Sequence, residues 1–254
     1  MMMFMFITRT MQTGLIMILL WFYLSMVSVA YASEHHPDSA PADAQELVLL
    51  LHGLGRSNIA MWRLADRLED ANYKVQRIGY HSIGTTLAEV LTDITGQINQ
   101  CCAEDQRKIH LVGHSLGGLL IRAYLQDNQL LNLGRVVLIG TPNKGTEIAN
   151  WLGDNPAVKL LTPIAAELST HQDSFPNRLP LPYYPVGVIA GVVDRDNENY
   201  LPGRDDGMVS VESTKLEGMR DFIEISSGHS MMRYNDEVAQ QAINFLQQGR
   251  FYRP

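Results

Sequence analysis

Cysteine is nearly absent from this chain of 254 residues: there are two, Cys101 and Cys102, and they are neighbours. Adjacent cysteines close no useful loop, so a disulfide-stapled scaffold is excluded and the fold must rest on a hydrophobic core. The pair is open to a vicinal bridge or a redox switch, and two reduced or partly buried thiols at the end of a predicted helix are the simpler expectation. Charge is sparse as well. Charged residues make up 19%, the net charge is −7, and Lys and Arg are scattered, which leaves no basic footprint for nucleic acid. Internal repeats and low-complexity tracts are missing too. With 46% hydrophobic residues, the chain has the material for one globular domain with a sizeable core.

One long apolar run is present, from Gly14 to Ala32. It follows the single charge Arg9 and ends in Ala30-Tyr31-Ala32, a small-x-small pattern. Residues 1–32 are therefore expected to be a signal peptide cleaved before Ser33, with an uncleaved membrane anchor as the alternative because the run approaches spanning length. Both readings put the rest of the chain outside the cytoplasm, periplasmic or secreted. No cysteine follows the run to take a lipid. Residues 33–44 are polar and without periodicity and read as a flexible leader, and its pair His35-His36 reads as solvated linker rather than a metal site.

Beyond the leader, Glu46–Leu51 is a continuous apolar run of the kind a strand covered on both faces requires. Ser57 or Asn58 can cap a helix in which Met61, Leu64, Ala65 and Leu68 share a face, and Val75–Tyr80 reads as the next strand. A helix marked by Leu87, Val90, Leu91, Ile94 and Ile98 follows. Further strands are expected at Ile109–Val112, Arg135–Gly140, Val186–Ala190 and Phe222–Ile225, and a last helix at Asp236–Gln247. Alternating strands and helices predict an α/β fold: a mostly parallel central sheet with helices on both faces. Between 142 and 185 the alternation lapses, and Trp151, Leu152, Val158, Leu160, Leu161, Ile164 and Leu168 recur at roughly helical spacing. That segment is either a small helical cap over a pocket or a peripheral pair of packed helices.

Gly113-His114-Ser115-Leu116-Gly117 joins the Ile109–Val112 strand to the helix that Leu119, Leu120, Ala123 and Tyr124 mark. A turn this sharp forces its central residue into strained backbone and needs small neighbours, which Gly113, Gly117 and Gly118 supply. The serine hydroxyl is then held out above the sheet. A nucleophilic serine needs a base and an acid to orient that base. Asp206 follows the Val186–Ala190 strand and His229 follows the Phe222–Ile225 strand, so strand ends on one side of the sheet can bring all three together. The chain order Ser, Asp, His is that of α/β-hydrolases.

With Leu51-His52-Gly53-Leu54-Gly55, the serine turn, Gly140-Thr141-Pro142-Asn143-Lys144-Gly145, Asp206-Gly207-Met208-Val209 and Gly228-His229, the chain resembles the α/β-hydrolase superfamily, in particular secreted bacterial lipases and esterases. The resemblance implies the α/β-hydrolase fold over 45–254. It implies Ser115 as nucleophile, His229 as general base, Asp206 as orienting acid, and the backbone N–H groups of Leu54 and Leu116 as the oxyanion hole. Asp205, Asp194 and Asp196 compete for the role of the acid, as a solvated acidic loop. His52 is expected to order the oxyanion turn; His114 is the variable residue of the serine turn, His110 alternates within a strand, and His81 could line the pocket but has no motif.

The expected activity is a serine carboxylester hydrolase, with a lipid or other small ester as substrate, no cofactor, no nucleic acid, and membrane association only through the N-terminal run. An acyltransferase or a hydrolase of lipid-linked esters in the cell envelope is the alternative, and a non-catalytic module of the same fold is the third reading. A calcium site is not expected. The acidic run Asp194–Glu198 lacks the glycine of a calcium loop, and Met231 stands where calcium-dependent relatives carry a carboxylate.

Overall fold

The computed structural model describes residues 45–153, 155–194 and 201–253. The expected signal or anchor (1–32), the leader (33–44) and most of the acidic run after Asp194 lie outside the described residues. Six strands, β1 (Leu47–Leu51), β2 (Lys74–Ile78), β3 (Ile109–His114), β4 (Leu133–Ile139), β5 (Val186–Val192) and β6 (Asp221–Ser226), form one sheet in the order β2-β1-β3-β4-β5-β6. Every pairing is parallel. The connections hold α1 (Trp62–Asp70), α2 (Leu87–Cys102), α3 (Leu116–Asp127), four short helices α4 (Glu147–Gly153), α5 (Pro156–Leu161), α6 (Pro163–Glu167) and α7 (Phe175–Arg178), then α8 (Val211–Thr214) and α9 (Asp236–Gln248).

The apolar strands divide their side chains between two faces, as the pleat requires. Leu47, Leu49, Leu51, Leu111, Val136 and Leu138 meet Val90, Ile94 and Ile98 of α2 and Leu119 and Leu120 of α3. Val48, Leu50, Val112, Val137 and Ile139 meet Leu64 and Leu68 of α1 and Ala242, Phe245 and Leu246 of α9. Two cores, one on each face, fix the register of every central strand, because a slip of one residue would exchange them.

The 142–185 segment differs from a pair of helices. Proline resets the chain each time: Pro156 opens α5, Pro163 opens α6, and Pro176 sits in the first turn of α7. A proline suits the first helical turn and cannot continue a preceding helix, so the periodic apolar residues are cut into short pieces. A second difference lies at the end of α2. Cys101 and Cys102 form a vicinal disulfide rather than two thiols. Successive side chains of a regular helix diverge by about 100°, and the bridge forms where α2 ends. Among the described residues no helix is long and apolar enough to cross a membrane.

The chain leaves β1 for β2 on one side and returns to β3 on the other. The loops after β1 and β3 therefore diverge, and a crevice opens at the carboxyl ends of the strands.

Candidate active site

Ser115 stands at that crevice, between β3 and α3, with φ 55° and ψ −123°. This is left-handed backbone that a serine occupies only when its surroundings insist. They do insist. A Cβ on Gly113 would lie 2.5 Å from the Gly118 nitrogen, and Cβ atoms on Gly117 and Gly118 would strike the Leu51 carbonyl and the Thr141 side chain. Only glycines let α3 start this close to the sheet.

The Ser115 hydroxyl donates to His229 Nε2 at 3.0 Å, and His229 Nδ1–H donates to Asp206 Oδ2 at 2.7 Å. The other Asp206 oxygen accepts from the backbone N–H of Met208 (2.9 Å) and Val209 (2.8 Å), and the His229 N–H donates to the Asp206 carbonyl at 2.8 Å. Carboxylate and imidazole are thus held by the backbone on both sides. Gly140, at the end of β4, makes room beneath them. Its φ is +55°, and a Cβ there would lie 3.2 Å from Asp206 Oδ2 and 3.3 Å from His229 Nδ1.

The structure brings together Ser115, Asp206 and His229 as the sequence anticipates. It does not support the view of the neighbouring carboxylates as uniformly solvated. Asp205 is buried and accepts from the Gly207 N–H, whereas Asp194 is exposed. Burial of the turn by the β5 end is the reason: the Val193 N–H donates to the Asp205 carbonyl. Among the described residues the N–H groups of Leu54 and Leu116 have no protein acceptor. That of Leu116 is one of the orphan donors at the start of α3, where the helix dipole also favours negative charge.

His52 is buried and stacks on Tyr80, ring centroids 3.9 Å apart, while the Tyr80 hydroxyl donates to the His52 carbonyl. Ser82 Oγ accepts from the Gly55 N–H at 2.9 Å. Tyr80 and Ser82 therefore hold the loop that carries Leu54, and sequence reasoning missed them; a polar pair just past the end of β2 was the only signal. His114 is also buried, and its Nε2–H donates to the His229 carbonyl at 2.9 Å. Burial pushes the pKa of His52 below its ordinary value and that of His114 well below, with the nearby His229 adding to the second effect. Both are neutral props. His110, buried in β3, bonds Glu46, and His81 does not line the cavity.

A cavity of about 240 Å³ opens over Ser115. Gly53, Leu54, Arg56, His229 and Ser230 form one part of its lining, and Ile148, Ala149, Leu152, Ala165 and Leu168, from α4, α6 and the residue after α6, form an apolar wall. Two of the four short helices of the 142–185 segment, α4 and α6, thus border the cavity. Among the described residues no cluster of His, Cys, Asp or Glu is arranged to hold a metal ion. Such an arrangement can activate a hydroxyl, stabilise an oxyanion and receive an apolar chain.

A family model described as palmitoyl protein thioesterase matches residues 47–174. The mature form of lipase BlEst2 from Bacillus licheniformis superposes with a TM-score of 0.60 at 21% identity, covering 76% of this chain and 89% of that one. A lipase-esterase related protein from Clostridium acetobutylicum gives 0.53 at 17% identity, covering 81% and 97%. Phospholipase PlaB from Legionella pneumophila gives 0.54 at 19%, covering 67% of this chain and 46% of that one. At these identities the likeness is one of fold, the α/β-hydrolase fold. Among curated proteins nothing matches.

Proposed function

The chain belongs to the palmitoyl protein thioesterase family, within the α/β-hydrolases and their lipase- and esterase-like hydrolases, and we propose that it hydrolyses acyl esters through an acyl-enzyme on Ser115. The observation that carries this reading is the relay Ser115–His229–Asp206 beside two backbone N–H groups without an acceptor among the described residues. Ser115 Oγ attacks the carbonyl carbon as its proton passes to His229 Nε2. The charge left on the carbonyl oxygen is met by the N–H groups of Leu54 and Leu116. Asp206 stabilises the imidazolium, which returns the proton to the leaving oxygen; water then repeats the sequence and frees the acid.

The apolar wall supports a fatty acyl chain. Leu152 and Met208 line the cavity and are also exposed at its mouth, beside exposed Trp151. The family name favours thioesters as further acyl donors, since a thiol leaves on the same relay. Export fits the oxidised state of Cys101 and Cys102, which a reducing cytoplasm would not keep. Rates on p-nitrophenyl esters from acetate to palmitate test the proposal, together with labelling by a fluorophosphonate. Wild type should turn over and label, and Ser115→Ala should do neither. An unlabelled wild-type protein would reject the acyl-enzyme.

A further inference from the structure

Among the described residues two arginines near His229, Arg56 in the cavity lining and Arg233 behind it, have no acid partner. Arg56 follows the Leu54 turn, lines the cavity and is exposed, and among the described residues it makes no ion pair or hydrogen bond. Arg233 lies just beyond His229. It is 5% exposed, its Nε donates to the carbonyl of Ser230 at 3.0 Å, and its guanidinium lies over the Tyr234 ring. Its Nη1 is buried and has no acceptor among the described residues. Ser230 in turn lines the cavity.

Burying a guanidinium donor unpaired is costly, so it marks a place built for a partner. Burial lowers the Arg233 pKa, and the charge of Arg56 acts in the same direction, so the two cations feel each other. The carboxylate of the site, Asp206, is already engaged by His229 and two amides. This end of the cavity is therefore positive in a protein of net charge −7.

The position says what the charge would meet. His229 must hand its proton to the leaving oxygen, so the alcohol departs past His229 and Ser230, away from the apolar wall of α4 and α6. We propose that Arg56 and Arg233 form an anion subsite for the leaving group, and that the preferred substrates are acyl esters whose alcohol carries a phosphate close to the scissile bond. Two guanidinium groups match the charge of a phosphate monoester, and the planar fork of Arg56 suits its oxygens. This rests on the hydrolase reading above, in which the leaving alcohol departs with its phosphate intact.

The test pairs 1-octanoylglycerol 3-phosphate with 1-octanoylglycerol, which share the acyl chain and the scissile bond. Wild type should favour the phosphate substrate in kcat/KM, the preference should shrink as salt rises, and Arg56→Gln should lower the ratio of the two by roughly tenfold. Arg56→Lys should keep part of it. Arg233→Lys, which keeps the buried charge and the fold, should lower the ratio less than Arg56→Gln. No preference in wild type, or an unchanged ratio in Arg56→Gln, overturns the subsite.

A second arm needs no turnover. Ser115→Ala protein should bind glycerol 3-phosphate in calorimetry, bind inorganic phosphate more weakly, and bind glycerol not at all. If neither ester is hydrolysed but glycerol 3-phosphate binds in an Arg56-dependent way, the subsite stands and the hydrolase reading falls. Absent binding, or equal affinity for inorganic phosphate, rejects the subsite whatever the turnover.

Discussion

Helix α3 buries every residue from Leu116 to Leu125, while α4 and α5 leave Trp151, Leu152, Leu160 and Leu161 between 41% and 78% exposed. The α3 side is held by packing against the sheet and by glycine contacts with no slack. The α4–α6 side gives only Ala149, Ile164 and Leu168 to the core it shares with α3, and is tied down besides by the bonds from Thr146 N–H to the Leu168 carbonyl, Asn150 to Thr170, and Gly84 N–H to the Leu161 carbonyl. On the proposed function, one side fixes where the reacting atoms sit, and the other shapes what they are offered. Chemistry and selectivity are therefore separable by mutation.

On the α3 side the largest loss should come from Ser115→Ala or His229→Ala. Each should lower kcat on a p-nitrophenyl ester by about 10⁵-fold or more, and the double variant should be little worse, because members of a relay act as a unit. Thermal unfolding should show the fold of both intact. Asp206→Asn should cost on the order of 10⁴ in kcat, through the wrong histidine tautomer. Asp194→Asn should be silent and Asp205→Asn should affect stability more than rate; a crippled Asp194→Asn enzyme would move the acid to another carboxylate.

Next in size is a stability effect confined to the tightly packed side. Gly113→Ala sets a methyl group against the backbone of Gly118 and should destabilise the fold by about 3 kcal/mol in urea unfolding. Near-normal stability would show that α3 can shift after all.

The pH dependence of stability should follow the same side. Burial lowers the pKa values of His52, His110 and His114, Glu46 opposing it for His110. Below the ordinary value of 6.5 the unfolded chain takes up protons that the folded one refuses, so stability falls as pH falls, by up to about 1.4 kcal/mol per histidine per pH unit. Above that value the contribution is constant. Unfolding free energies measured at pH 5.5, 6.5 and 7.5 decide it, and a flat series between the lower two refutes it. The smallest effect belongs to the α4 side: Trp151→Ala should change stability by less than about 0.5 kcal/mol while lowering the rate on palmitate more than on acetate esters. Equal losses on both would mean that α4 serves the chemistry as well.

Much of the α3 side was legible in the sequence. Strong apolar runs announce β1, β3, β4 and β5 to within a residue or two, because a strand covered on both faces has no room for polar residues. The serine turn announces itself through three glycines that only a steric demand explains. The α4–α7 side reads poorly. Its apolar spacing left a small helical cap and a pair of packed helices both open, and Pro156, Pro163 and Pro176 were the available sign of four short pieces. Tyr80 and Ser82 act through contacts with a segment distant in sequence, and no local pattern encodes such contacts.

Among the described residues only Asn72 and Ser115 combine a side chain with positive φ. A glycine at 115 would relax the backbone there and leave the protein better folded and without a hydroxyl. With Ser115 as the proposed nucleophile, stability and activity pull in opposite directions at this one position. A thermostability screen blind to turnover would be drawn to an inert variant, and the serine persists there only under selection for something other than folding.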